Sequence, residues 1–241
     1  MVASGWQRIG PDPLIAAWAR AALPVAVRVL AASAEPLRCG GTWAVGLDLL
    51  DNDPSGALAG CAFPWAALPL VPQSLHRGQV SAVYPGYPQP SPQESDAAYG
   101  FRLRRDAAHL DGLLATGAAK RRMLAEPHAW ILGLPLTDCD AGASPLVVWE
   151  GSHDIMRAAL AAGLTAQTDV TAAYTVARAR VFDSCKRVEV AARPGEAILL
   201  HRMTIHGVAP WRAGAAAPPE GRLIAYFRPM LGSVAGWISL P

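Results

Sequence analysis

A β-sandwich or jelly roll with flanking helices is the fold class that this sequence predicts. Short segments with the apolar alternation of strands recur along the 241 residues, and connections rich in Pro and Gly separate them. Helical patterns are confined to the start and the middle of the chain. Hydrophobic residues make up 52% and charged residues 17%, which is typical of a chain with a substantial core.

The N-terminal part begins with a predicted helix. Asp12 is a suitable N-cap, and Pro13 is favourable in the first turn. Apolar residues then recur at helical spacing until Pro24, where we expect the helix to end or to kink. The apolar run 14–33 is interrupted by this proline and by two arginines, and no basic segment precedes it. We therefore expect an amphipathic helix of a soluble protein, not a signal peptide or a membrane span.

Two strands and one long loop are predicted before the first candidate site residue. The strands cover residues 42–47 and 79–84. Residues 85–96 contain four prolines, and because structureless segments of this length are uncommon in compact domains, we expect a functional loop such as a lid. Residues 99–103 again alternate like a strand and lead the chain to His109.

The second half of the chain contains further strands and two helices. Pro194 and Gly195 form the turn between two of these strands. No internal repeat and no linker is visible, so we expect a single domain over residues 1–241. The predicted strands are 128–136, 145–149, 187–192, 197–205 and 222–228, and the predicted helices are 154–163 and 171–184.

Charge and cysteine usage exclude several classes of function. The net charge is +2 and the basic residues are dispersed, so nothing indicates binding to nucleic acid. The four cysteines form no CxxC pair, which excludes a zinc ribbon or a thioredoxin motif. A disulfide framework is not expected at this size, and a reducing, cytoplasmic compartment is predicted. Nucleotide-binding loops and a nucleophile elbow are also absent from the sequence.

The residues that carry chemistry are a His-x-Asp pair and a distant histidine. His109 and Asp111 lie two positions apart, so at the end of a strand both side chains point the same way. His206 follows a predicted strand much later in the chain. Two histidines and one carboxylate hold non-heme Fe(II) on one face and leave positions open for substrate chemistry. By itself such a pair is more often a solvated turn than a metal site, so the prediction depends on the combination.

A second histidine competes for the third ligand position. His201 differs from His206 in strand parity, so a regular strand cannot direct both inward. His206 is favoured because Gly207 follows it and the strand ends there, whereas His201 is interpreted as a structural or supporting residue. His153 is interpreted as a turn residue beside the start of a helix.

An arginine on the last strand is the candidate for binding an acidic cosubstrate. Arg222 begins an apolar strand, where an unpaired charge is costly, and its planar fork matches a carboxylate. Arg228 shares its parity and is the alternative, and a surface role for Arg222 also stays open. Tyr84 ends a strand before the predicted lid, where it either hydrogen-bonds the cosubstrate carboxylate or packs as an ordinary aromatic residue.

These motifs, in this order, resemble those of one enzyme family. From about residue 79 to residue 229 the chain is similar to the phytanoyl-CoA dioxygenase-like family of Fe(II)/2-oxoglutarate-dependent oxygenases. One departure from the family pattern is an additional Ala-, Gly- and Pro-rich loop over residues 213–221. The matching pieces are the strand and Pro-Gly at 79–86, His109-Leu110-Asp111, 130–138, 141–146, 150–153, 194–197, His206-Gly207 and Arg222.

The resemblance implies a fold, a cofactor and a reaction. It implies a double-stranded β-helix over residues 79–229, with residues 1–78 as an N-terminal extension packed on this core. It assigns the iron to His109, Asp111 and His206, and the 2-oxoglutarate to Arg222. Because family halogenases lack the ligand Asp, it implies hydroxylation of a small organic molecule by molecular oxygen, with no nucleic-acid or membrane partner. The alternatives are a cupin-like metalloenzyme without 2-oxoglutarate and a non-catalytic binding domain on the same fold.

Overall fold

The structure is a computed structural model that describes residues 3–161 and 164–239. Within these ranges the chain is mainly β, with antiparallel pairing throughout, and helices flank the sheets. The prediction of a mainly β chain with flanking helices is therefore confirmed. The strands are β1 (Trp6–Ile9), β2 (Trp43–Asp48), β3 (Gln79–Val83), β4 (Leu113–Thr116), β5 (Arg121–Leu124), β6 (Trp130–Pro135), β7 (Leu146–Trp149), β8 (Arg187–Val190), β9 (Ala197–His201), β10 (His206–Val208) and β11 (Arg222–Phe227).

The first helix begins where the sequence predicts it. The Asp12 side chain caps it by accepting a hydrogen bond from the Leu14 N–H at 2.7 Å. The helix continues through Pro24, so of the two outcomes predicted for this proline, an end of the helix is wrong. The helices are α1 (Pro13–Ala31), α2 (Asp96–Arg105), α3 (Ser152–Leu160), α4 (Thr171–Ser184) and α5 (Val234–Ser239), and a short 3-10 helix spans Trp65–Ala67.

By length and composition α1 is also apolar enough to cross a membrane. In this structure one side of it packs as a core helix does. Ile15 and Trp18 are fully buried, and the Trp18 indole N–H donates to the Gly56 carbonyl at 3.0 Å. The Trp18 ring meets Phe227 of β11 edge to face, which joins the helix to the outer face of the large sheet.

Two sheets and a hairpin organise the strands. The large sheet has the order β1-β9-β6-β11-β3-β2, the small sheet has the order β10-β7-β8, and β4 pairs with β5. Residues 1–78 thus contribute the two edge strands β1 and β2 to the large sheet. One apolar cluster is shared by the two sheets and another by the small sheet and the helices α3 and α4. The first of these clusters contains Ile131, Leu146, Val148, Val190, Ile198 and Leu200.

Two predicted strands have to be corrected. Residues 99–103 lie in α2, because Ser95 accepts a hydrogen bond from the Ala98 N–H and caps a helix there. The predicted strand 197–205 ends at His201. The chain then turns and enters the small sheet at His206, so the two histidines lie on strands of different sheets and the parity argument does not apply to them.

Candidate metal centre

Three predicted ligands converge in the structure. One ligand atom from each of His109, Asp111 and His206 lies within 4.8 Å of the others. The backbone holds the two histidines together, since the His109 N–H donates to the His206 carbonyl at 2.9 Å and the His206 N–H donates back at 3.1 Å. His109 lies in the loop between α2 and β4, and His206 begins β10, so one bridge joins two distant segments of the chain.

Backbone carbonyls orient both imidazole rings. Nδ1 of His109 lies 2.9 Å from the Ala107 oxygen, and Nδ1 of His206 lies 2.9 Å from the Thr204 oxygen. A carbonyl only accepts, so each Nδ1 carries a proton and Nε2 is the nitrogen that each ring turns inward. A hydrogen bond of this kind on the other ring nitrogen is the usual support of a metal-binding histidine.

The inward-facing atoms are two imidazole nitrogens and a carboxylate. Nε2 of His109 lies 3.2 Å from Oδ1 of Asp111, and Nε2 of His206 lies 3.7 Å from Oδ2. A cation between the lone pair of the neutral His206 ring and the carboxylate would stabilise this arrangement. Two imidazole nitrogens and one carboxylate are also the donor set of non-heme Fe(II) sites, so the residues fit such an ion.

The protonation states agree with a ligand role. Burial lowers the pKa of His206 to about 4, so this ring is neutral at pH 7. Burial alone would raise the pKa of Asp111, but His206, His109 and Arg228 together hold it well below its ordinary value. Burial would lower the pKa of His109, but the hydrogen bond and charge of Asp111 and the Ala107 carbonyl together raise it above its ordinary value. Asp111 is therefore anionic and His206 unprotonated at neutral pH.

The two candidate arginines of β11 have different surroundings. Nη1 of Arg228 lies 2.7 Å from Oδ2 of Asp111, so its charge is already paired. Arg222 is 7% exposed, and its Nε and Nη1 have no hydrogen-bond partner among the described residues. Two buried guanidinium nitrogens without an acceptor are costly, which favours an anionic group from outside the chain beside Arg222.

Tyr226 is a site residue that the sequence interpretation missed. It lies on β11 between Arg222, which begins the strand, and Arg228, which directly follows it, and it shares their parity, so an extended chain directs all three side chains to one side. Burial raises the pKa of Tyr226, while the charge and a hydrogen bond of Arg222 oppose this shift. Gly133 on β6 leaves room for the ring, since a Cβ there would come within 2.9 Å of its Cε1. The shared parity with Arg222 is the signal that could have identified it.

Tyr84 is not brought to this site. Val83 pairs with Arg222 across the sheet, so the next residue faces the opposite side. The Tyr84 ring packs in the apolar cluster on the α1 side and lines a cavity there with Leu30 and Leu223. Its position does not agree with the prediction that it binds the cosubstrate.

His201 and His153 form a separate buried group. Nδ1 of His201 accepts from the Met203 N–H at 3.0 Å, and its Nε2 lies 2.7 Å from the Arg157 guanidinium. Burial lowers the pKa of His201 to about 3. The ring of His153, in α3, lies 5.0 Å from that of His201. These contacts agree with the interpretation of both residues as structural.

An ion pair and a close backbone contact position the loop that carries His109. Asp106, 2% exposed and in the left-handed region at φ 56°, accepts two hydrogen bonds of 2.7 Å from Arg187. Its carbonyl accepts from the Val208 N–H at 2.8 Å. Gly207 lies against this carbonyl, and a Cβ at Gly207 would come within 2.2 Å of its oxygen. The sequence interpretation did not identify Asp106 or Arg187.

We expect Gly207→Ala to weaken metal binding without removing any ligand. The added methyl group collides with the Asp106 backbone and displaces the His109 loop from His206. Because misplaced ligands bind poorly, we expect a loss of affinity of roughly 10-fold or more, by analogy with changes in supporting contacts. Calorimetric titration with Co(II) measures this. The control is Gly10→Ala, where nothing lies within 4 Å of the new Cβ, and equal affinities for both variants would contradict the prediction.

The predicted lid is anchored by one arginine of α2. Arg102 binds Glu94 at 2.6 Å, approaches the Tyr87 hydroxyl at 3.4 Å and lies 4.9 Å from the centre of the Trp43 ring. The loop over residues 85–95 is thus attached to both α2 and β2. Its function as a lid stays a prediction.

Comparison with known proteins identifies similar structures but no similar sequences. No family model matches the chain, and no curated protein matches it. The non-heme α-ketoglutarate-dependent carbocyclase SnoK from nogalamycin biosynthesis is 13% identical, with a TM-score of 0.50 over 95% of this chain and 80% of SnoK. AviO1 from Streptomyces viridochromogenes Tue57 is 14% identical, with a TM-score of 0.48 over 95% and 91%. The epimerase SnoN is 15% identical, with a TM-score of 0.35 over 64% and 45%. The chain therefore shares the fold of SnoK.

Proposed function

We propose that this protein is an Fe(II)- and 2-oxoglutarate-dependent oxygenase that hydroxylates a small organic molecule with molecular oxygen. The observation that carries the proposal is the convergence of His109, Asp111 and His206, with both Nδ1 atoms engaged and both Nε2 atoms directed at the carboxylate. The fold shared with SnoK supports it, and α-ketoglutarate is another name for 2-oxoglutarate. We assign the two sheets to a double-stranded β-helix and the chain to the phytanoyl-CoA dioxygenase-like branch.

The ligand set would hold iron through two imidazoles and one carboxylate. This set leaves open positions on one face of the ion, where cosubstrate and oxygen are activated when iron is bound. The task of the protein is to bind, to orient and to exclude water. The side chains of Asp111 and His206 are 10% and 8% exposed, so water has little access to this side of the site. His109 is 48% exposed and marks the side from which small molecules can enter.

Arg222 and Tyr226 are proposed to hold the far carboxylate of 2-oxoglutarate. Two Arg222 nitrogens lack an acceptor, and a carboxylate supplies two oxygens in the geometry of the guanidinium fork. The Tyr226 hydroxyl can donate a further hydrogen bond to the same group. Tyr226 lies between Arg222 and Arg228 in the chain with the same parity, and Arg228 contacts Asp111, so the ring lies between Arg222 and the ligand set.

An anaerobic titration tests cofactor and cosubstrate together. We expect purified protein with one equivalent of Fe(II) to develop a visible charge-transfer band when 2-oxoglutarate is added, because the cosubstrate chelates the ion through its keto acid end. Tyr226→Phe is expected to give the same band at about 10-fold higher 2-oxoglutarate concentration, since it removes one hydrogen bond to a charged group. Metal binding without a band would favour a cupin-like metalloenzyme, and no metal binding would favour a non-catalytic domain.

A further inference from the structure

We propose that Arg228 is a positioning residue that holds Asp111 in its metal-binding orientation, and that His76 and His128 fix Arg228 in turn. The inference rests on the proposed metal site. It gives a role to three residues that the ligand set and the cosubstrate contacts leave unused.

The first step is the pairing of the Asp111 carboxylate. Its Oδ2 accepts from Nη1 of Arg228 at 2.7 Å, whereas its Oδ1 lies 3.2 Å from Nε2 of His109. The two side chains are 10% and 18% exposed, so water does not compete strongly for either. The arginine thus binds Oδ2, which also lies 3.7 Å from Nε2 of His206, and leaves Oδ1 turned towards His109. A carboxylate held in this way offers one oxygen to an ion and cannot rotate away from it.

The second step is the support of Arg228 itself. Its backbone N–H donates to Nε2 of His76 at 2.7 Å, and its carbonyl lies 3.0 Å from Nδ1 of His128, which donates to it. The other nitrogen of His76 lies 2.6 Å from the Arg77 carbonyl and must carry the proton, so Nε2 is a good acceptor. β11 ends at residue 227, so these two histidines replace the ladder bonds that Arg228 lacks.

A competing interpretation makes the opposite prediction. If Arg228 acted only as a positive charge near the ion, its removal would tighten metal binding, because like charges repel. If it orients the carboxylate, its removal weakens metal binding by the 10- to 100-fold that loss of a supporting contact costs at metal sites. The sign of the change therefore separates the two interpretations.

The experiment is a calorimetric titration of metal-free protein with Co(II), an oxygen-stable substitute for Fe(II). We expect Arg228→Met to bind Co(II) 10- to 100-fold more weakly than the unaltered protein, and Arg228→Lys to recover most of the loss. Circular dichroism and thermal unfolding of the metal-free variants establish that each is folded. If Arg228 only stabilised the fold, Arg228→Lys would not restore the Co(II) affinity selectively.

Variants of His76 test whether it acts through Arg228. We expect His76→Ala to weaken Co(II) binding several-fold in the unaltered protein and to have no further effect in Arg228→Met, as a double-mutant cycle detects. Equal or tighter Co(II) binding by Arg228→Met would overturn the inference while leaving the metal site intact. Failure of the unaltered protein to bind Co(II) or Fe(II) would overturn the proposed function, and the inference with it.

Discussion

His206→Ala is expected to abolish Fe(II) binding and with it all 2-oxoglutarate turnover, while the chain stays folded. His206 supplies one of the three ligand atoms that lie within 4.8 Å of one another. Removal of a contact that supports a ligand lowers metal affinity by up to roughly 100-fold, and removal of the ligand itself should lower it further. The fold should survive, because the backbone bonds between His206 and His109 do not involve the imidazole, and β10 keeps its pairing with β7.

The measurement is Co(II) or Fe(II) affinity together with succinate formation from 2-oxoglutarate. His153→Gln is the matched control, because His153 is also buried, at 7% exposed, and belongs to a group that the structure separates from the ligand set. The control variant should keep its metal affinity within a few-fold. Normal metal affinity in folded His206→Ala would remove His206 from the ligand set and leave the proposed function without its main support.

Arg222→Met is expected to have two effects of opposite sign. It should weaken 2-oxoglutarate binding by about 100-fold or more, because hydrogen bonds to a charged group contribute about 1.5–3 kcal/mol each and two are lost. It should also raise the free energy of unfolding without ligands by about 1–3 kcal/mol, because an apolar side chain replaces a buried charge with unpaired nitrogens. A residue kept for stability would not show this combination.

Both effects can be measured on the same samples. The charge-transfer titration gives the affinity for 2-oxoglutarate, and urea unfolding gives the stability of the ligand-free protein. Arg222→Lys is the matched control, since it keeps the charge but loses the planar fork, and we expect intermediate affinity with no gain in stability. Unchanged 2-oxoglutarate affinity in Arg222→Met would transfer the cosubstrate contact to another residue.

Local signals were sufficient for much of the secondary structure. Asp12 and Pro13 mark the start of α1, and the turn at Pro194 and Gly195 precedes β9. Residues 99–103 were misassigned because the apolar side chains of so short a segment fit the periodicity of a strand as well as that of a helix. Only the cap at Ser95 shows that the segment is helical. Strand β1 was not predicted, because its pairing with β9 depends on residues almost two hundred positions away.

The sequence by itself determined the chemistry of the site: two histidines and a carboxylate with the spacing of metal ligands, and an arginine at the start of the last strand. Only the tertiary structure distinguished the two arginines. Arg222 and Arg228 share parity, but Arg228 is paired with Asp111, whereas Nε and Nη1 of Arg222 have no partner among the described residues. The structure also places Tyr84 on the opposite side of the sheet from Arg222, because the side that a residue faces depends on register with its neighbours. Residue type fixes what a side chain can do, whereas its partners are set by contacts between segments that are distant in the chain.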